Sequence, residues 1–150
     1  MKKLIFLCAL LLLAAASAFA AAGLPDVSGW KCGELRVTKL DTVSGNKGQW
    51  LERDYRTAAG APFHAIWLEG AGEKNWQVQP QKSASGDGTG ATYKTVEIAG
   101  SKAVLERHPV TGVSLAVKLD KRGTLTLESG KATTDDEIIA AAQAIIDAMK

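Results

Sequence analysis

The chain has 150 residues, 46% of them hydrophobic and 23% charged, with 18 basic and 16 acidic side chains and a formal net charge of +2. That length suits one domain with a substantial core. A chain this close to neutral lacks the electrostatic footprint of a nucleic-acid binder, and without a run of five like charges it offers no polybasic membrane anchor.

The first twenty residues read as an export signal. Lys2 and Lys3 form a positive start, Leu4 to Leu13 an apolar run, and Ala18-Phe19-Ala20 a small-x-small cleavage site. Cleavage is expected after Ala20, with Ala22 as the alternative. The apolar run is short for a membrane span, and no second one follows. The expectation is therefore a periplasmic or secreted protein with no integral membrane segment after cleavage, residues 21–150 forming a single domain. Cys8 follows Ile5-Phe6-Leu7 rather than the small residues that lipidation requires, so it leaves with the signal. Losing Lys2 and Lys3 takes the 18 basic residues to 16, equal to the 16 acidic ones.

Strands are predicted over Gly33–Leu40 and Gln49–Arg56, around the turn-rich Ser44 to Gly48, and over Phe63–Leu68 after Ala59 to Pro62. Trp50, Tyr55, Phe63 and Trp67 suit a pleated surface. Residues 70–91 read as irregular. Thr95–Ile98, Ala103–His108, Val113–Leu119 and Thr124–Glu128 then alternate apolar and polar positions between tight turns, the pattern of a meander covered on one side. Thr134-Asp135-Asp136-Glu137 fits a capping box. Ile138, Ile139, Ala142, Ile145, Ile146 and Met149 follow at helical spacing. These signals predict a helix over 134–149. Strands that precede the helix, rather than alternating with it, argue against a parallel sheet. The fold class is α+β: an antiparallel sheet of about six to eight strands, a meander, with one C-terminal helix packed on one face. A closed barrel with a terminal helix is the alternative.

Few residues suggest chemistry. Cys32 is the single thiol left after cleavage, so it is a buried small residue, an intermolecular disulfide or, with a neighbouring base, a thiolate. His64 and His108 are the only histidines. With Cys32 they make up the number of a metal set, but not at structural-zinc spacing. Ser85 to Gly90 is glycine-rich and lacks the lysine and hydroxyl residue of a P-loop. Asp135, Asp136 and Glu137 are explained by helix capping, and Glu52, Asp54 and Arg56 by a solvated strand face. No serine sits in a nucleophile elbow. Trp30 and Trp76 lie in loop contexts among glycines, where an aromatic ring can anchor a ligand or partner.

The opening "LPDVSGW", the strands "GQWLERDY" and "FHAIWLEG", and the closing "VEIAGSKAVLERHP", "VSLAVKL", "GTLTLES" and "TTDDEIIAAAQAIIDAM" give the chain a family likeness. The closing portion resembles small exported α+β domains of the PsbP-like kind. The opening resembles exosortase-associated and uncharacterised exported proteins. The resemblance implies a non-catalytic accessory, scaffold or assembly role and carries over no binding residue. The expected function is an exported, non-enzymatic domain that binds a protein partner or small ligand, with Trp30 and Trp76 as candidate contacts and no cofactor. A metal or redox accessory using Cys32, His64 and His108 is a second expectation. A hydrolase whose site assembles only in three dimensions is a third.

Overall fold

The structure is a computed structural model that describes residues 23–43, 45, 47–70, 90–120 and 122–150. The export signal expected over 1–20, Trp76, most of the stretch 70–91 expected to be irregular and all but the last residue of the 85–90 glycine loop lie outside the described residues.

Alternation of apolar and polar side chains makes one antiparallel sheet. Its strands are β1 (Lys31–Cys32), β2 (Arg36–Lys39), β3 (Gly48–Arg56), β4 (Pro62–Gly70), β5 (Thr92–Ile98), β6 (Ser101–His108), β7 (Gly112–Leu119) and β8 (Gly123–Ser129). β1 and β2 lie end to end along β3, where a single strand over 33–40 was expected. From there the order is β3-β4-β8-β7-β6-β5. The single meander expected from sequence is thus two, β1–β4 and β5–β8, joined where β8 docks on β4. The physical reason lies in the apolar content. β4 and β8 bury Phe63, Ala65, Trp67, Leu125 and Leu127, so both belong in the middle of the sheet. The barrel alternative fails because β5 and the β1/β2 edge are not paired with each other.

Register sorts the side chains onto two faces. Leu51, Trp67, Leu125, Val117 and Ala103 form one cross-strand row, and Ala65, Leu127, Leu115 and Leu105 the next. All are buried on the same face. The helix α1 (Asp135–Ala148) covers the β5–β8 half of it. Its start is the capping box read from sequence: the Thr134 amide donates to Glu137 Oε2 at 2.7 Å, and the Glu137 amide to Thr134 Oγ1 at 3.2 Å. Ile138, Ile145 and Ile146 are fully buried, each contributing about 1.5–3 kcal/mol. Ala142 lets the backbone approach the sheet. Arg107 ties the helix start to the sheet, donating to the Thr133 carbonyl at 3.0 Å and to Asp135 Oδ1 at 2.7 Å. Gln143 reaches the β5–β6 turn, where its Oε1 accepts from the Ala99 amide at 3.2 Å. Ala99 and Gly100 take φ of 50° and 77° there. Such a two-residue turn suits glycine and strains alanine, and the helix supplies the strained residue with a polar partner.

Residues 23–30 cover the other half of the same face as an irregular arm. Leu24 is fully buried and Val27 nearly so. With no regular structure of its own, the arm is held by polar side chains from β3. Arg53 donates to the Leu24 carbonyl at 2.9 Å and to the Gly33 carbonyl at 2.8 Å, and pairs with Asp26. The Tyr55 hydroxyl donates to the Pro25 carbonyl at 2.8 Å. No helix among the described residues is long and apolar enough to cross a membrane.

Candidate functional site

The face opposite the core is set by the same parity. Asp54, His64, Glu128, Ser114 and Glu106 are successive register partners across β3, β4, β8, β7 and β6. Neighbouring strands lie about 4.8 Å apart, so these five side chains form a polar row. Two grooves open at this end of the sheet. One, of about 550 Å³, is lined by Lys31, Cys32, Asp54, Arg56, His64 and Glu128 among others. The second, of about 300 Å³, is lined by Glu106, His108, Thr111, Ser114 and Glu128 among others. They adjoin, with Glu128 and Ser129 in both linings, and together form the trough referred to below, His64 lining one groove and His108 the other.

At one end His64 sits between carboxylates. Its Nδ1 is 2.8 Å from Asp54 Oδ1 and its Nε2 is 3.5 Å from Glu52 Oε1. Arg36 flanks both acids, at 3.6 Å from Asp54 and 3.9 Å from Glu52. The hydrogen bond from His64 is the main reason that the Asp54 carboxyl lies below the usual carboxylate range, and Arg36 lowers it further. A general base needs one ring nitrogen free for the proton it takes. Here both face carboxylates, so the imidazole is placed for charge pairing rather than for activating a nucleophile.

At the other end His108 plays a different part. Its Nδ1 accepts from the backbone amides of Val110 at 3.1 Å and Thr111 at 3.2 Å. The ring thereby closes the β6–β7 turn.

The metal set suggested by Cys32, His64 and His108 does not assemble. Cys32 pairs with Tyr55 on the covered face, whereas His64 pairs with Asp54 on the open one. His108 lies three strand spacings from His64, about 14 Å. Among the described residues no three His, Cys, Asp or Glu side chains are grouped to hold a metal ion. Cys32 is half-buried and free of disulfide. Its Sγ accepts from the Val27 amide at 3.5 Å, so the thiol helps seat the arm. Trp30 packs edge-on against Tyr55, with centroids 5.9 Å apart and planes at 77°. Burial raises the Tyr55 phenol well above its ordinary value, although Arg53 beside it works the other way.

Sequence reading missed the pairing of His64 with Glu52 and Asp54, and it missed Arg53. A signal for the first lay in "TAAGA". The five-residue loop 57–61 closes with the Thr57 amide donating to the Ala61 carbonyl at 3.0 Å and the Ala61 amide to Thr57 Oγ1 at 3.1 Å, and this places Asp54 opposite His64. For Arg53 the signal was parity: it alternates with Leu51 and Tyr55, which both face the core.

Comparison with protein-family models, with characterised proteins and with solved structures finds no significant match.

Proposed function

We propose that the protein is an exported, non-enzymatic binding domain that receives a protein partner or small ligand along the trough at the open end of the sheet. The observation that carries this reading is the pair of adjoining grooves with Glu128 and Ser129 in both linings. A concave surface with a few convergent polar groups is the ordinary form of a recognition site. Cations from Lys31 and Arg56 and carboxylates from Asp54, Glu106 and Glu128 give it a mixed polar lining. The placing of carboxylates on both sides of the His64 ring favours recognition over hydrolysis. Trp30, seated on Tyr55 beside the groove, is a further candidate contact. The export signal and the likeness to accessory domains agree with this role.

The test compares the chain with its Glu106→Arg/Glu128→Arg variant, both immobilised and exposed to the same mixture of exported proteins and metabolites. A species retained by the first and lost from the second, with folding of both verified by circular dichroism, supports the reading. Equal retention by both, or retention by neither, contradicts it.

A further inference from the structure

We infer that His108 is an acid-sensitive clasp: protonating its ring releases the 109–111 turn and reshapes one end of the trough. The inference concerns the free protein and stands apart from partner binding.

An imidazole nitrogen accepts a hydrogen bond only when it carries no proton. His108 Nδ1 accepts two, from Val110 and Thr111, so the ring is neutral in this arrangement, with its hydrogen on Nε2. Adding a proton at Nδ1 sets a third N–H against two others, and both attractions become repulsions. Among the described residues no backbone carbonyl accepts from either amide, and the histidine ring is the acceptor that closes this turn. Pro109 has no N–H to offer. Val110 is 71% exposed, so water replaces the lost acceptor readily.

Two carboxylates share the groove with the ring. Glu106 on the same strand and Glu128 on β8 line the same groove. β7 brings only the uncharged Gly112, Val113 and Ser114 to it. Arg107 is turned to the covered face, on Asp135. The rearrangement is confined to the turn, because Gly112 opens β7 and is in register with His108 across the β6–β7 ladder. His64 behaves oppositely. Its protonated ring donates toward Asp54 and Glu52, so acid completes its contacts while undoing those of His108.

The experiment follows the free chain by NMR, reading the two histidine ring titrations and the hydrogen-exchange protection of the Val110 and Thr111 amides, corrected for intrinsic rates. Protection is expected to fall at least tenfold across the His108 ring titration. In His108→Asn, whose Oδ1 accepts at any pH, protection should persist throughout. In His64→Gln the loss should remain. Unchanged protection through the His108 titration would overturn the inference, as would an equal loss in His108→Asn.

Discussion

The two halves of the covered face are closed by different means. Over β5–β8 the cover is a capped helix whose isoleucines are fully buried. Over β3 and β4 it is an irregular arm whose backbone carbonyls are gripped by Arg53 and Tyr55. Hydrophobic burial is spread over many contacts and is lost only when the packing is lost. A polar grip rests on a few donors, and removing one leaves buried carbonyls unpaired. The helix should therefore fail together with the whole domain, and the arm should fail locally.

The largest effect is expected from Ile145→Asp. It removes about 1.5–3 kcal/mol of burial and adds the desolvation of an unpaired carboxylate, against a total stability of about 5–15 kcal/mol. Circular dichroism should show an unfolded chain, and a native urea transition would refute the placement of α1. Next comes Arg53→Met, which orphans the carbonyl of buried Leu24 at a cost of about 1–3 kcal/mol. Limited proteolysis should then cut within 23–30 while β5–β8 and α1 stay resistant, and an uncut arm would break the comparison. Thr134→Ala removes the helix cap and should cost about 1 kcal/mol in a denaturant titration.

A pH prediction follows from Asp135. The hydrogen bond from Arg107, with Lys94 assisting, holds its carboxyl below the ordinary range. A depressed folded-state value means stability that is present above the ordinary carboxylate range and lost as pH falls toward the folded value. Arg107→Met should therefore lose stability at neutral pH and show a shallower acid limb than the parent. Parallel acid limbs would count against the pairing. The smallest effect is that of Asp147→Ala, whose half-exposed carboxylate meets Lys150 and Gln143 at the helix surface. No measurable shift of the denaturation midpoint is expected.

The same contrast explains what was legible beforehand. The helix announces itself locally: Thr134 and Glu137 are three residues apart, and the isoleucines repeat at the helical period. The β7–β8 hairpin is legible for the same reason, because Val113 to Leu119 and Thr124 to Glu128 alternate around a short turn. The arm is illegible because its partners are distant. Leu24 meets Arg53 across 29 positions, and nothing near Leu24 signals burial. The pairing of β4 with β8 was hidden likewise, since it joins Ala65 to Leu127 and follows from competition for the centre of the sheet. The trough depends on both: its two grooves adjoin only once β4, β8, β7 and β6 lie side by side. Cys32, read first as a small buried residue, is half-buried, and its sulfur takes a hydrogen bond from the arm.

Native-state hydrogen exchange on the parent and on Arg53→Met tests the two-cover account most directly. Amides of residues 23–30 and of the facing β3 edge should lose protection in the variant, while those of α1 and β7 keep at least most of theirs. A uniform loss across both halves would contradict it, because the arm would then be no separate, polar-held cover.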